Sequence, residues 1–368
     1  MGQAIKSAPR ATGEAVVAGE AAVPDQLPAQ ATAGVRVVLA VLVGALAGAV
    51  AYPAYQSNAQ FVTDFDQLRL AGQALLRGQN PYEALPQPAW TFPLLYPGPA
   101  VLLALPLAWL PPALARAGFA AAAAGFLAFA LSRTPWRLLT LLSASALIAI
   151  FGGQWSPLFL AAWFVPSIGA VAAAKPNLGL AYFAARPSRA AFVGTCLLIA
   201  ASLALMPSWP IDWWHALQGR TVQRAPILQP FGVILALAAL KWRRPEARLL
   251  LTLAMIPQTI ATYETLLLFA IPETRRELLL LAGLSYGAVY AQFKLVPQGA
   301  LEQMTADRWP ILLVLLWLPA LAMVLRRPNE DRRYIMASDC ESESANSSPA
   351  TDLQPAARHV EAECWPNH

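Results

Sequence analysis

The feature that most restricts how this chain can fold is a long series of apolar segments that carry almost no charge. Of its 368 residues, 57% are apolar and only 13% are charged, whereas soluble domains carry about 25% charged residues. Many of the segments approach the roughly 20 residues that an α-helix needs to cross the hydrocarbon layer of a bilayer. The sequence therefore predicts a polytopic, all-helical membrane bundle.

The apolar segments separate one membrane domain from two polar tails. We expect residues 1–33 and 327–368 to be disordered cytoplasmic tails, because their composition is too polar to form a packed core. Residues 34–326 then form the membrane domain, with about 12 transmembrane or half-membrane helices. The predicted membrane segments are residues 37–52, 97–110, 115–131, 137–151, 155–167, 168–186, 190–207, 227–240, 246–258, 264–275, 277–296 and 309–326.

The basic residues predict how the domain is oriented. Lys and Arg are retained on the cytoplasmic side of membrane proteins, and they cluster here at residues 241–248, 275–276 and 326–333. The loop after the first helix, residues 53–96, then faces outward. Ala, Leu, Pro and Arg are frequent, which favours a bacterial plasma membrane. The net charge of +5 forms no basic stripe with interleaved aromatic residues, so no nucleic-acid partner is expected.

The outward loop contains the pattern of an amphipathic helix. Apolar residues between Asp64 and Arg77 are spaced for one helical face, which predicts a helix lying at the membrane interface; they are Phe65, Leu68, Leu75 and Leu76. Gly78 should end this helix, and Pro81 follows soon after it.

Two carboxylates, Asp64 and Asp66, open the predicted helix. A carboxylate at a helix N-terminus can serve simply as a cap, because the helix dipole favours negative charge there. Alternatively, a carboxylate at the mouth of an apolar cavity can act as a general base and accept the proton of an attacking hydroxyl. The spacing alone leaves both interpretations open.

Five short motifs occur in order along residues 35–325: Asp64-Phe65, Gly78-Gln79-Asn80-Pro81-Tyr82, Tyr96-Pro97, Gly153-Gln154 and Lys175-Pro176, followed by a polar turn from Ile256 to Glu264. Together they resemble glycosyltransferase family 87, the polyprenyl-phosphate-mannose-dependent membrane mannosyltransferases of the C-type superfamily. The chain departs from the family pattern at Gly98, where a second proline is usual, and at Trp155, where a small polar residue is common. Glu264 stands where His or Asp is more familiar.

The resemblance implies transfer of a hexose, expected to be mannose, from a polyprenyl-phosphate carrier to a lipid or glycan acceptor at the outer membrane face. It implies inversion of the sugar's anomeric configuration, with Asp64 as the general base and Asp66 as the reserve candidate. No metal or other cofactor is expected, because the phosphate leaving group is already a stable anion whose charge basic side chains can meet.

Substrate-binding candidates are polar or basic residues on the predicted outer side. Lys175 lies in a long uncharged stretch, where an ammonium group is costly and normally has a partner or a function. Glu264 can bind acceptor hydroxyls, hold Lys175 or lie at the interface. The remaining candidates are Tyr82, Tyr96, Gln154, His215, Arg220 and Arg224. Interfacial packing or headgroup contact explains the tyrosines, His215 and the two arginines equally well.

Two other functional classes also fit a chain of this composition. A secondary transporter has broken helices and intramembrane charge as well, although the sequence shows no internal repeat. A non-catalytic membrane scaffold that has kept the fold is the second alternative. Membrane lipids are expected partners in every case.

Overall fold

The computed structural model of the protein describes residues 31–58, 62–84, 94–218, 224–297 and 301–329, the side chains of residues 301–305 excepted. The predicted tails lie almost wholly outside these ranges. The described part is helical and contains no β-strand. Its α-helices are α1 (Ala33–Ser57), α2 (Asp64–Leu76), α3 (Pro81–Ala84), α4 (Gly98–Ala108), α5 (Pro112–Leu131), α6 (Ala144–Phe151), α7 (Ser156–Phe164), α8 (Pro176–Ala185), α9 (Arg189–Leu205), α10 (Trp209–Leu217), α11 (Pro245–Met255), α12 (Arg275–Leu295), α13 (Leu301–Leu312) and α14 (Leu318–Leu325).

Shorter helical segments of other geometry connect these helices. Five are 3₁₀-helices, at Pro135–Leu142, Pro166–Ala174, Pro226–Leu228, Gly232–Lys241 and Glu264–Ala270, and a π-turn at Leu313–Trp317 joins α13 to α14. Proline begins three of the 3₁₀-helices and also begins α8. Because proline has no N–H and disfavours helical geometry in the residue before it, each of these prolines marks a break. One such break falls at Lys175, inside the predicted segment 168–186.

Four helices of the described part are long and apolar enough to cross a membrane: Ala33–Ser57, Pro112–Leu131, Arg275–Leu295 and Ala306–Leu325. Two bent pairs raise the number to six if each pair counts as one span, α6 with α7 at 118° and α9 with α10 at 96°. The all-helical architecture and the presence of membrane-length helices are therefore confirmed. The predicted total of about 12 crossing or half-crossing helices is not.

Helix α1 lies at the edge of the bundle and packs against α5 through small residues. A Cβ atom added at Gly44 would lie only 2.8 Å from the carbonyl oxygen of Ala121, and Gly125 of α5 lies directly against Gly44. Small residues let two helix backbones approach closely, which is the usual packing mode inside membranes. Most other side chains of α1 are exposed, so the contact with α5 is what attaches the helix to the bundle.

Helix α2 is confirmed close to its predicted bounds, but it does not lie on a surface. It is wedged against α4 and α5, and its polar residues Gln67 and Arg69 are buried together with its apolar ones. The ring of Phe65 stacks on Phe119 with 4.5 Å between centroids. Gly78 ends the helix with a left-handed φ of 69°.

Ion pairs join three segments of the chain that carry basic clusters, and these segments lie together at one end of the bundle. Arg244, just before α11, pairs with Glu273, just before α12. Arg327, after α14, lies 3.3 Å from Glu273 and 2.8 Å from Glu277. We call this the basic end. The turn between α11 and the 3₁₀-helix at Glu264–Ala270 lies at the opposite end of α11.

Candidate active site

Asp64 is the first residue of α2, and its carboxylate faces the turn that precedes α4. The hydroxyl of Tyr96 donates a hydrogen bond to Oδ2 of Asp64 over 3.4 Å. Burial raises the pKa of Tyr96 well above its usual value, and the carboxylate of Asp64 raises it further. Tyr96 therefore stays protonated and remains a hydrogen-bond donor to Asp64.

Lys175 and Glu264 form a buried ion pair near this position. Nζ of Lys175 contacts Oε1 of Glu264, and the side chains are 16% and 2% exposed. Lys175 stands at the proline break before α8, and Glu264 is the first residue of the 3₁₀-helix after the turn. Asn177 of α8 also donates a hydrogen bond, at 3.1 Å, to the carbonyl oxygen of Pro257 in the turn that precedes Glu264. Of the roles considered for Glu264, the structure shows the one in which it holds Lys175.

Tyr263 brings the two halves of the site together. Its ring centroid lies 5.7 Å from Nζ of Lys175. Burial raises the pKa of Tyr263 well above its usual value, and Glu264 and Asp64 raise it further. The charges of Asp64 and Glu264 both raise the pKa values of Tyr96 and Tyr263, so these groups lie in one neighbourhood. We call Asp64, Tyr96, Lys175, Tyr263 and Glu264 the Asp64–Lys175 cluster.

Asp66 lies only two residues from Asp64 but is fully engaged by the protein. Its Oδ2 accepts hydrogen bonds from the backbone N–H and the hydroxyl of Thr63, at 2.8 and 2.9 Å. Nε of Arg116 on α5 donates to both carboxylate oxygens, at 2.9 and 2.8 Å. Asp66 therefore completes a capping box and ties α2 to α5. The start of α2 thus supplies two different carboxylates: the oxygens of Asp66 are occupied by hydrogen bonds, whereas Asp64 faces Tyr96.

The Gly153-Gln154 pair supports the first turn of α2. Gly153 lies in the sharp bend between α6 and α7 with a φ of 67°, and a Cβ added there would lie 2.9 Å from Cβ of Phe65. Thr63 is almost as close. Gln154 is buried, and its amide donates to the carbonyl oxygen of Gly152 over 3.4 Å. This motif positions the helix that carries Asp64.

The other sequence candidates take more distant places. The hydroxyl of Tyr82 donates a hydrogen bond to the carbonyl oxygen of Tyr96 at 2.9 Å, which helps to fix the position of Tyr96. His215 and Arg224 are exposed, and in the described ranges neither shares a hydrogen bond or ion pair with the cluster. Arg220 lies outside the described residues.

Two residues of this region were not singled out from the sequence: Tyr263, which belongs to the cluster, and Arg308. Tyr263 was part of the polar turn, and its position beside Glu264 was the available signal. The positive charge of Arg308 on α13 acts on Tyr263 and opposes the rise of its pKa. Arg308 follows a charged stretch near the end of the chain, where no motif points to the site. It adds a second cation to the surroundings of the cluster.

No protein-family model, curated protein or solved structure matches this chain. Within the described residues, no group of three or more His, Cys, Asp or Glu side chains is arranged to hold a metal ion. The chemistry of the Asp64–Lys175 cluster is therefore the main guide to function.

Proposed function

We propose that this protein is a membrane glycosyltransferase that moves a hexose from a polyprenyl-phosphate carrier to a lipid or glycan acceptor. The observation that carries the proposal is Asp64, a carboxylate with one long hydrogen bond from Tyr96, in the same neighbourhood as a partly buried cation, Lys175, which Glu264 holds. The resemblance to family 87, whose motifs include both residues, supports polyprenyl-phosphate-mannose as the donor.

Asp64 is the better candidate for the general base. A base must reach the substrate and be able to take a proton, and the carboxylate of Asp66 is already occupied by Thr63 and Arg116. Asp64 has one long hydrogen bond, from Tyr96, which leaves lone pairs for an acceptor hydroxyl. Tyr96 and Tyr82 hold this carboxylate and its surroundings in place.

Lys175 is the candidate for binding the donor phosphate. In the proposed step the acceptor hydroxyl gives its proton to Asp64 and its oxygen forms a bond to the anomeric carbon. The bond from that carbon to the phosphate oxygen breaks, and polyprenyl phosphate leaves with the electron pair. An ammonium group stabilises the charge that grows on the phosphate. Glu264 holds Lys175 before the donor arrives.

The charge distribution supports a proposal for the location of the site. The basic end contains Arg244 and Arg327, and the turn with Tyr263 and Glu264 lies at the far end of α11. Because basic segments stay in the cytoplasm, we assign the Asp64–Lys175 cluster to the outer face of a bacterial plasma membrane.

The test compares sugar transfer by the native chain with transfer by Asp64→Asn and Asp66→Asn in membranes supplied with radiolabelled polyprenyl-phosphate-mannose. We expect Asp64→Asn to lower the rate by about 10²- to 10⁴-fold, the usual contribution of a general base, at unchanged thermal stability. Asp66→Asn should instead lower the stability, by about 3 kcal/mol, because it leaves Arg116 buried and unpaired.

Asp66→Asn is the matched control, since the same change two residues away alters folding rather than chemistry. Full activity of Asp64→Asn at equal expression would contradict the base assignment. If the native chain transfers no sugar but moves a solute across vesicles, the transporter interpretation replaces this proposal, because transporters also bury charge at helix breaks.

A further inference from the structure

One arginine connects the turn between α8 and α9 with the turn that precedes α11. Arg248, in the first turn of α11, donates two hydrogen bonds to the carbonyl oxygen of Ala185, at 3.1 and 3.0 Å. The same guanidinium donates to the carbonyl oxygens of Trp242 and Arg243, at 3.2 and 2.9 Å. Because one side chain bonds the backbone of both turns, the two turns lie side by side at the surface of the bundle.

These turns carry a group of cations. Arg189 begins α9, Lys241 ends the 3₁₀-helix before α11, and Arg243 follows soon after it. We call Arg189, Lys241, Arg243 and Arg248 the basic patch. Within the described residues, the side chains of Arg189, Lys241 and Arg243 form no hydrogen bond or ion pair. The N-terminus of α9 lies in the same turn as Arg189, and its partial positive charge also favours an anion.

Few carboxylates of the described part are available to offset this charge. The sequence has no Asp or Glu between Glu83 and Asp212, and none between Asp212 and Glu246. Glu246 is the nearest acidic residue along the chain to Arg243, and its carboxylate lies 3.7 Å from Arg244, a cation outside the patch. The charge of the basic patch is therefore left for an anion from outside the protein.

Exposed apolar side chains beside the patch favour an anion that belongs to a lipid. Leu240 and Trp242, on either side of Lys241, are 65% and 59% exposed. Phe192, one turn of α9 after Arg189, is 62% exposed. Tryptophan beside basic residues is typical of the membrane–water interface. A soluble phosphate would use the cations alone, whereas a phospholipid uses the cations and the apolar side chains together.

We infer that the basic patch binds the headgroup of an anionic phospholipid, whose acyl chains contact the exposed apolar side chains beside it. Arginine and lysine form charge-assisted hydrogen bonds with phosphate oxygens, and basic pockets between membrane helices bind anionic headgroups in this way. The patch lies at the end of α8 that is opposite to Lys175. The inference therefore does not depend on the proposed transfer reaction.

The test measures lipid binding by native mass spectrometry of the full-length protein in detergent, titrated with phosphatidylglycerol or with phosphatidylcholine. Lys241→Gln/Arg243→Gln removes two cations of the patch. We expect the apparent Kd of the first bound phosphatidylglycerol to rise about 30-fold, since each cation beside an anionic headgroup contributes about fivefold. The weaker binding of phosphatidylcholine should stay as it is in the native chain.

Arg275→Gln/Arg276→Gln is the matched control. Both arginines are exposed at the basic end, so this variant loses the same charge from the same end of the molecule. They lie between Glu273 and Glu277 instead of in the patch, and we expect the Kd for phosphatidylglycerol to be unchanged. Thermal unfolding without added lipid should give the same midpoint for both double variants and the native chain, which separates loss of binding from loss of folding.

Several outcomes would overturn the inference. Equal weakening by the two double variants would show a diffuse attraction to the basic end in place of a site. Equal affinity for phosphatidylcholine would show that the headgroup charge is not recognised. Full displacement of phosphatidylglycerol by glycerol 1-phosphate at equal concentration would make the patch a site for a soluble phosphate, without a role for the acyl chains.

Discussion

Asp64 and Asp66 illustrate how much the surroundings of a residue decide. The sequence predicted that either carboxylate could cap the helix or act as a base, and nothing in their spacing separates the two roles. The difference comes from Arg116, which is 50 residues further along the chain and reaches Asp66 but not Asp64. A contact so distant in sequence cannot be predicted from local pattern.

Two residues at which this chain departs from the pattern of family 87 also have neighbours that lie far away in the sequence. A Cβ at Gly98, where the pattern of family 87 that the sequence resembles usually has a second proline, would lie 2.6 Å from the indole ring of Trp209. The ring occupies the space that a proline side chain needs, which accounts for the glycine. Glu264, which stands where His or Asp is more familiar, is matched by Lys175.

At the residue scale, we predict that the two members of the Lys175–Glu264 pair respond unequally to substitution. Lys175→Gln leaves a carboxylate that is 2% exposed without its cation, and we expect a loss of about 3–5 kcal/mol of stability. Glu264→Gln should cost less, because Lys175 is partly exposed and keeps access to water. Thermal unfolding of both variants in detergent measures the difference.

The double variant Lys175→Gln/Glu264→Gln provides the control for this comparison. If the pair is coupled, removing both charges should restore part of the stability lost in Lys175→Gln, and the double-mutant cycle will give an interaction energy of about 1–3 kcal/mol. Strictly additive losses would show that the two side chains are independent, and would remove Glu264 as the group that holds Lys175.

At the element scale, hydrophobicity predicted the long helices well. The predicted segments at 37–52, 115–131 and 277–296 correspond to α1, α5 and α12. The structure of the shorter apolar segments was harder to predict, because hydropathy does not distinguish an α-helix from a 3₁₀-helix or show a bend. The prolines gave part of the answer, since Pro166 and Pro176 begin new helices as their missing N–H groups require.

Helix α2 was predicted at the correct place but in the wrong surroundings. Its apolar spacing indicates one buried face, and a helix with polar residues on its other faces normally lies at a surface. Neighbouring elements bond two of its polar side chains, the buried Gln67 and the partly exposed Gln73. Gln67 accepts a hydrogen bond from the N–H of Leu95 over 3.5 Å, and Gln73 donates to the carbonyl oxygen of Ala108 at 3.0 Å.

We predict that the close contact between α1 and α5 depends on Gly44. A leucine there would meet the backbone of α5 at Ala121, and because backbone cannot move aside as a side chain can, we expect a loss of about 2 kcal/mol or more. Thermal unfolding measures it. Gly34→Leu in the same helix is the control, since a Cβ at Gly34 meets nothing within 4 Å. Equal stability of the two variants would show that the contact is not tight.

At the scale of the whole molecule, the basic end and Lys175 lie at opposite ends of α8. Arg248 donates to the carbonyl oxygen of Ala185 at 3.1 Å, so α8 ends at the basic end. The start of α8 carries Lys175 and lies at the other end, beside the turn that precedes Glu264. From the positions of its basic clusters, the sequence predicted opposite membrane sides for these two places, and that orientation stays a prediction.

This separation predicts the accessibility of the two ends in cells. In a chain with Cys196, Cys340 and Cys364 replaced by serine, a cysteine at Glu83, beside the cluster, should react with a membrane-impermeant maleimide on intact bacteria. A cysteine at Arg243, at the basic end, should react only after permeabilisation. Both positions are exposed in the structure, so exposure does not bias the comparison. The reverse pattern would contradict the outer-face assignment.

Helix α2 is fixed at both of its ends, which has a consequence for the proposed transfer reaction. The capping box of Thr63 and Asp66 holds its start. At its C-terminus, the N–H groups of Gly78 and Gln79 donate hydrogen bonds to the carbonyl oxygens of Leu75 and Ala74, at 2.9 and 3.0 Å. This is the pattern of a Schellman motif. In the proposed reaction, the conformational entropy of orienting Asp64 would therefore be lost once, when the chain folds, and not again at every turnover.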